Sequence, residues 1–454
     1  MPSIQEDVKG RSELTSELPL FPLTKIVAIA LLHIGVGVAI VAISGFTNSE
    51  MKLLGWTDAA ISIILGIAIL FELFRLYFGY LHDRNGKTVK YLVLGVFLSS
   101  VGLAFIPVVI SSFSAIWLLL PVASFYVGTA ILTTLVDAYL TKSTSYRQRS
   151  QIAGVIQSLR LIGFAVGGVF GGFLFRIFPY SVFMAIIMMI LIITSGVSIL
   201  AIIAFNRKSA PVTVSNQTKS FLMSLSELKI VLTNPLPALM SVFLVLFSIG
   251  LFMQDLILEP FTIETLGFAK EGVGRVVALW SLTTLVFVPI GALLEKNVGR
   301  RRIIVTGELS AGLGLVIISA VTAVPNEGVF WIGLVLFGAG SGLFSAPAIS
   351  LMLDVCALKN AHLTLMLGFY GILITFGRSL SPVVAGVILI LSGNKYFVVF
   401  IVEALAMLLS LIPLMLLTKV DYPTLFAKMD SESLPSWSSR SPQKIFRSGQ
   451  QKTS

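Results

Sequence analysis

The chain has 454 residues, of which 56% are hydrophobic and only 12% charged, and its mean hydropathy is +0.96. A water-soluble domain of this length needs far more polar surface, so this composition excludes that class of protein. The formal net charge of +10 raises the question of a nucleic-acid partner, which the placement of the basic residues answers. Cys356 is the single cysteine, so no disulfide can form within this chain.

Hydrophobic runs of about 20 residues, the length that crosses a bilayer core, recur along the chain. They predict twelve membrane spans, near residues 26–46, 60–81, 91–111, 113–140, 152–177, 181–205, 236–258, 272–294, 303–323, 329–353, 364–391 and 396–417. The polar segment 1–24 lacks the basic start and cleavage site of a signal peptide. The expected fold class is an all-α polytopic membrane protein with twelve transmembrane helices.

The basic residues are distributed unevenly between the two sides of the predicted bundle. With both termini cytoplasmic, 24 of the 32 Lys and Arg residues fall in cytoplasmic segments. Four lie on the far side (Lys52, Arg176, Lys270, Lys395), and four lie within or at the edge of spans (Arg75, Arg160, Arg275, Arg378). This bias sets the orientation of membrane proteins. The positive charge therefore predicts cytoplasmic termini and no nucleic-acid partner.

The chain repeats itself at the spacing of six spans. The stretch "GYLHDRNGK" (79–87) is matched by "GALLEKNVGRRR" (291–302), 212 residues later, and "GFAVGGVFGG" (163–172) by "GRSLSPVVAG" (377–386), 214 residues later. Parallel halves of this kind form a large class of transporters. The predicted organisation is a cytoplasmic segment 1–25, a six-helix half 26–205, a cytoplasmic linker 206–235, a six-helix half 236–417, and a disordered cytoplasmic tail 418–454.

The first repeat resembles the major facilitator signature G-x-L-x-D-R-x-G-R-K, through Gly79, Leu81, Asp83, Arg84, Gly86 and Lys87, with Thr88 departing from it. The second copy has Glu295 for the Asp and one extra residue before Gly299. This resemblance implies the major facilitator fold. It also implies a conformational latch, for which the candidates are Gly79, Asp83, Arg84, Gly86, Glu295, Gly299 and Arg300, with Glu72 and Arg75 of the second span. The alternative is a charged loop that only follows the positive-inside bias.

Glycines in the fifth predicted span resemble the antiporter signature of the same superfamily. Gly163, Gly167, Gly171 and Gly172 match it, but Gly168 stands where that signature has proline. Small residues let helix backbones approach closely in lipid. Close packing explains the pattern as well as antiport does, so it predicts no coupling mechanism.

The seventh predicted span ends in "MQDLILEP" (253–260), which places Gln254, Asp255 and Glu259 within six residues. On a continuous helix, Asp255 and Glu259 share one face because they are four residues apart. Pro260 marks the exit of that helix or a kink, because it lacks a backbone N–H. Arg275, at the start of the eighth span, is the expected counter-charge in a shared cluster. The alternative is a solvated helix end.

The segment 252–280 resembles the PucC/LhaA family, also called the bacteriochlorophyll delivery family. The matching residues are Phe252, Met253, Gln254, Asp255, Leu258, Glu259, Pro260, Glu264, Gly267, Ala278 and Trp280. The stretch "GFTNSEMKLLGW" (45–56) resembles a second family pattern, with Ser49 and Leu53 departing from it. The seventh-span motif is the specific part of the resemblance.

The resemblance implies a protein of a cytoplasmic or thylakoid membrane that helps assemble chlorophyll-containing light-harvesting or photosystem complexes. It would deliver pigment, chaperone the apoproteins, or both. Implied partners are membrane lipid, chlorophyll, antenna or photosystem apoproteins and pigment-synthesis enzymes. No cofactor is required, and a chlorophyll-type tetrapyrrole is the possible ligand or cargo.

Two alternatives stay open: a secondary transporter of a small solute, with proton coupling through membrane carboxylates, and a non-transporting scaffold. No nucleotide loop, metal cluster or nucleophile–base pair stands out, so an enzyme is not expected.

Other charges lie inside predicted spans. Glu72 and Arg75 are three residues apart and should pair on one helix face. Isolated charges in the membrane are costly, so Arg160, Arg378, Glu308 and Glu403 should face the bundle interior and find partners, as functional groups or as structural latches. His33 could ligate a chlorophyll magnesium, relay a proton or simply bond a neighbouring helix. Asp137 and Asp354 are expected at the cytoplasmic gate.

Overall fold

The computed structural model describes residues 22–85, 87–112, 115–142, 149–206, 235–357 and 363–417. Within these residues, every regular element is a helix, and twelve are long and apolar enough to cross a membrane. The predicted all-α fold with twelve spans is therefore confirmed. Nearly all of the predicted linker, 206–235, and the tail 418–454 lie outside the described residues, as do the signature's Gly86 and residues 1–21.

The first six spans are numbered in chain order and run as follows. Span 1 consists of Leu23–Ala30, Leu32–Val41, a π-helical turn Ala42–Thr47 and Asn48–Leu53; span 2 of Asp58–Ile69, a 3₁₀ turn Leu70–Phe74 and Arg75–Asn85; span 3 of Thr88–Ser112; span 4 of a 3₁₀ turn Ala115–Leu118 and Leu119–Lys142; span 5 of Arg149–Ile177; and span 6 of Tyr180–Asn206. Span 2 starts where Thr57 Oγ1 accepts a hydrogen bond from the backbone N–H of Ala60, at 3.3 Å.

The second half repeats the pattern. Span 7 consists of Pro235–Phe252 and a 3₁₀ turn Met253–Leu256, and is followed by a short helix Leu258–Leu266; span 8 is Lys270–Val298, span 9 Arg300–Val321, span 10 Glu327–Ala357, span 11 Leu363–Ser392, and span 12 Tyr396–Leu417. Gly299 separates spans 8 and 9 with φ of 91°, a left-handed conformation that glycine adopts without strain.

Two hydrophobic cores correspond to the two halves. One is built almost wholly from residues 26–202, and the other, apart from Ala59, from residues 240–417. The halves meet where span 1 packs against span 7, span 8 and the helix after span 7, where span 2 packs against span 11, and where span 5 packs against span 8.

Glycines let spans 5 and 8 touch. A Cβ added to Gly168 would lie 2.7 Å from the carbonyl oxygen of Gly274, and one added to Gly274 would lie 2.2 Å from that of Gly168. Neither position has room for a side chain. The fifth-span glycines therefore serve close backbone packing, including across the two halves.

Candidate functional site

The MQDLILEP segment is a break in span 7. The helix ends at Phe252, one 3₁₀ turn covers Met253–Leu256, and a new helix begins at Leu258. Glu403 of span 12 stabilises the break, because its Oε1 accepts a hydrogen bond from the backbone N–H of Gln254 at 3.0 Å. Interrupted helices inside membranes expose backbone groups that line binding sites.

This break corrects two predictions about the motif. Asp255 lies in the 3₁₀ turn and Glu259 in the next helix, so they do not share a face of one continuous helix. Pro260 is the third residue of the new helix, in the first turn, where a missing N–H breaks no bond. The predicted helix exit at Pro260 is therefore wrong, whereas the alternative of a kink agrees with the break directly before this helix.

A cavity of about 150 Å³ lies between the two halves, with the break on its wall. Spans 1 and 5 line one side, and spans 7, 8, 10 and 11, with the helix after span 7, line the other. Its polar lining residues are Ser44, Gln157, Arg160, Gln254, Asp255, Glu259, Trp280, Thr284, Ser341, Ser345 and Arg378. The predicted site residues Gln254, Asp255, Glu259, Arg160 and Arg378 therefore meet in one place.

The carboxyl groups of the motif are held in different ways. Gln254 Nε2 donates to Asp255 Oδ1 at 2.8 Å. Glu259 is 4% exposed, and its Oε2 has no hydrogen-bond partner within the described residues. Burial raises the pKa of Glu259, which lies beyond the end of span 7, well above its usual range. The solvated-end alternative is therefore wrong for Glu259.

A charged triad joins spans 2 and 11 beside the cavity. Glu72 accepts from Arg75 Nη2 at 3.0 Å through Oε2 and from Arg378 Nη1 at 3.1 Å through Oε1. The Glu72–Arg75 pair is as predicted. The contact of Glu72 with Arg378, in the other half, was not predicted. The two residues are 306 positions apart, and sequence spacing gives no information on contacts between distant spans.

Arg275 is not part of the site. Its side chain is exposed, and it has no ion pair within the described residues. Gly274 and Ala278, one turn apart, pack against Gly168 of span 5. Residue 275 is rotated by roughly 100° from Gly274 and points away from that contact. The predicted cluster of Asp255, Glu259 and Arg275 is therefore wrong, and the guanidinium group that shares the cavity with Asp255 belongs to Arg378.

His33 and Asp137 form a contact between spans 1 and 4. His33 is fully buried, and its Nε2 lies 3.0 Å from Asp137 Oδ1. His33 is not among the residues that line the cavity. Its position fits a bond to a neighbouring helix better than ligation of a pigment in the cavity.

Glu308 and Glu403 are both fully buried, as expected for carboxyl groups inside spans. Glu308 Oε2 accepts from Ser410 Oγ of span 12 at 3.1 Å. Neither side chain lines the cavity. Glu403 acts indirectly, because its hydrogen bond to the backbone of Gln254 stabilises the break in span 7. Glu308 joins spans 9 and 12 within the second half.

The latch candidates are only partly described. Glu295 Oε1 accepts from Arg300 Nε at 2.6 Å, which links spans 8 and 9 within one half. Asp83 and Arg84 lie in the last turn of the helix Arg75–Asn85, and not in a loop. Their side chains, and that of Asp354 in span 10, lie outside the described part.

A polar cluster that sequence reasoning missed closes the distal end, defined as the end that carries connections 54–57, 267–269 and 393–395. Lys52 Nζ lies 2.7 Å from Asp58 Oδ2 and also pairs with Glu264, and Tyr396 O–H donates to Glu264 Oε2 at 2.6 Å and also to Asp58. Lys52 and Asp58 belong to one half, Glu264 and Tyr396 to the other. The available signal was the placement of three charges at helix ends beside short connections.

Comparison with solved structures supports the fold described above. Among solved structures, the chain is similar to one described as the crystal structure of a bacterial homologue of the iron transporter ferroportin in an outward-facing state. The TM-score is 0.63 and the identity 14%, over 87% of this chain and 99% of that chain, so the likeness concerns the fold alone. It supports the major facilitator fold, with two six-helix halves.

No curated protein matches the sequence. The family model described as PUCC protein matches residues 49–422, which includes the broken span and the whole cavity lining except Ile40, Val41 and Ser44. This match covers well over half of the 454 residues. The chain therefore belongs to the PUCC protein family.

Proposed function

We propose that this protein assists the assembly of chlorophyll-containing light-harvesting or photosystem complexes, by delivering pigment, by chaperoning the apoproteins, or by both. One observation supports the proposal: the seventh-span segment through which the chain resembles PucC-like sequences forms part of the wall of the cavity between the halves, and it lies within the region that the family model matches. Six motif residues thus line the candidate site: Phe252, Gln254, Asp255, Leu258, Glu259 and Trp280. The proposed location is a photosynthetic membrane. Both termini are proposed to be cytoplasmic, because most of the basic residues lie on that side of the predicted bundle.

The size of the cavity limits how a pigment could use it. A dry cavity of about 150 Å³ holds a molecule the size of benzene, and the cavity here measures about 150 Å³. A tetrapyrrole is several times larger. Pigment could enter only in an arrangement in which the halves stand further apart, which is how transporters of this architecture open.

A second candidate function is transport of a small solute. The same small volume and the charged lining from Arg160, Arg378 and Asp255 favour it. In this alternative, buried carboxyl groups such as Glu259 supply proton coupling.

Deletion of the gene in its native phototrophic host separates the two functions. Loss of antenna absorption with unchanged total tetrapyrrole synthesis supports the assembly role. Normal antenna assembly, together with a defect in uptake or export of a soluble metabolite, supports solute transport. Complementation with the wild-type gene and with Arg275→Gln, which alters an exposed residue, should restore the phenotype equally and is the control.

A further inference from the structure

The cavity wall has hydrogen-bond donors left over. Arg160 Nε, Arg378 Nε and Trp280 Nε1 are buried atoms that have no acceptor within the described residues, and all three residues line the cavity. Guanidinium and indole groups only donate, so these atoms cannot satisfy one another. A buried donor without an acceptor costs free energy. Of the four buried side-chain atoms on this wall that have no partner, three are therefore donors, and the fourth is Glu259 Oε2.

The two guanidinium groups differ in their partners. Arg378 is 3.1 Å from Glu72, whereas Arg160 has no ion pair in the described part of the chain. Asp137 attracts Arg160 from span 4, but its Oδ1 lies 3.0 Å from His33. An unpaired cation near the middle of a span is costly and marks a functional site by default.

Two acidic residues, Asp255 and Glu259, share the wall with the guanidinium groups. Glu259 is 4% exposed, and burial disfavours the charged form of its carboxyl group. Asp255 is already bonded to Gln254 Nε2, at 2.8 Å. The lining thus presents two guanidinium groups beside one carboxyl group whose burial disfavours its charge and one that is hydrogen-bonded to Gln254.

A flat aromatic surface adjoins the unpaired cation. Phe164 lies one turn beyond Arg160 on span 5, and its ring is stacked on Trp280 of span 8, with centroids 6.2 Å apart and an angle of 22°. Both rings line the cavity, and Trp280 is stacked in turn on Phe337, at 6.5 Å and 19°. This arrangement places two aromatic side chains beside a positive charge, where they can contact the apolar part of a ligand.

From these contacts we infer that the cavity binds an organic carboxylate, held by the guanidinium group of Arg160, with the apolar part of the ligand against Phe164 and Trp280. A carboxylate only accepts hydrogen bonds and matches guanidinium in a bidentate pair. Two sources share this chemistry: a small aromatic acid, which matches the cavity of about 150 Å³, and a free-acid tetrapyrrole such as chlorophyllide, which the proposed function favours and which needs the halves to stand further apart. The anion site itself does not depend on the proposed function.

The test uses the full-length protein purified in mild detergent, and three probes: chlorophyllide a, its methyl ester and benzoate. The ester keeps the ring system and removes the negative charge. Binding of the pigments is followed by their fluorescence, and binding of benzoate by its effect on tryptophan emission, with Trp280→Phe assigning that signal. We expect the wild type to bind chlorophyllide or benzoate, and chlorophyllide at least about tenfold more tightly than the ester, the scale of a charge-assisted hydrogen bond.

Variants then locate the site. Arg160→Gln should weaken carboxylate binding about tenfold or more, while Arg160→Lys retains part of it because the charge remains. Arg275→Gln, the same change at an exposed arginine, should bind like the wild type. If Arg160→Gln does not fold, the comparison of acid with ester in the wild type and in Arg160→Lys decides the question.

Each outcome has a separate meaning. Equal affinity for acid and ester, no binding of either acid, or unchanged binding in Arg160→Gln would overturn the anion site. Binding of benzoate without chlorophyllide keeps the anion site and assigns it to a small acid. Loss of antenna complexes in the deletion strain, with no carboxylate binding, keeps the proposed function and rejects this inference.

Discussion

At the scale of single residues, the site depends on charges that compensate each other across the two halves. Glu72 lies between two guanidinium groups, one from its own helix and one from span 11. Its side chain is only 7% exposed, so the attraction is weakly screened by water. Spacing predicted the local partner, Arg75, since residues three apart on a helix are neighbours. Only the packing of the halves supplies Arg378.

Glu72→Gln is expected to destabilise the protein strongly, because it leaves two guanidinium groups close together without the carboxylate between them. Breaking a buried pair in this way costs roughly 3–5 kcal/mol. Thermal unfolding in detergent measures the effect. Glu327→Gln, at an exposed position at the start of span 10, is the matched control and should unfold like the wild type. Equal midpoints for Glu72→Gln and the wild type would show that the triad contributes nothing to stability.

At the scale of helices, the break in span 7 is the feature that places polar groups of an apolar segment on the wall of the cavity. Composition and hydropathy identified the span but could not show that it stops at Phe252, because the residues of the break are mostly apolar and compatible with a helix. The backbone N–H of Gln254 is satisfied by Glu403, a residue 149 positions away. This contact is invisible to local sequence patterns, which is why Glu403 looked like an isolated membrane charge.

Substitutions of Glu403 test its role in holding the break. Glu403→Gln should be tolerated, because the amide oxygen still accepts from the N–H of Gln254. Glu403→Leu should destabilise the protein by about 1–3 kcal/mol, since it leaves a buried donor unpaired. Thermal unfolding of both variants measures the difference. If Gln and Leu are equally tolerated, or equally damaging, the hydrogen bond does not stabilise the break.

The contact between spans 5 and 8 gives a second prediction at this scale. Gly274→Ala should force the helices apart, because the new methyl group would meet the Gly168 carbonyl oxygen at 2.2 Å. Overpacking of this kind costs about 1–3 kcal/mol. Gly196→Ala is the control, because no neighbouring heavy atom lies within 4 Å of its added Cβ. The yield and the unfolding temperature should fall for Gly274→Ala and stay at the wild-type values for Gly196→Ala. Equal yields and unfolding temperatures in the two variants would contradict the close contact.

At the scale of the whole molecule, the halves are joined at the distal end and hold the cavity between them. The repeats at six-span spacing were sufficient to predict two halves of the major facilitator type, because an internal duplication can be recognised by comparing the sequence with itself. The cavity lining was predicted in part: five candidate residues meet there, and Arg275 does not. The error arose because the azimuth of a residue on its helix depends on the packing of Gly274 and Ala278, which periodicity alone did not reveal.

The distal cluster should act as a lock between the halves. Glu264→Ala removes partners of both Lys52 and Tyr396, so a cysteine at Ser44, on the cavity wall, should react faster with a membrane-impermeant maleimide added from the distal side. The native Cys356 is first replaced by serine. Lys395→Ala, beside Tyr396 but exposed, is the control and should leave labelling unchanged. Unchanged labelling in Glu264→Ala would mean that the apolar contacts alone close this end.

The central claim is that the broken seventh span forms the functional site of a PucC-like assembly protein. Its most direct test is Asp255→Asn, expressed in the deletion strain at the level of the wild type, with antenna absorption measured per cell. The amide preserves the shape of the side chain and removes its charge. We expect Asp255→Asn to accumulate normally in the membrane but to restore little antenna, and Arg275→Gln to restore it fully. Full restoration by Asp255→Asn at wild-type abundance would contradict the assignment of this cavity as the site.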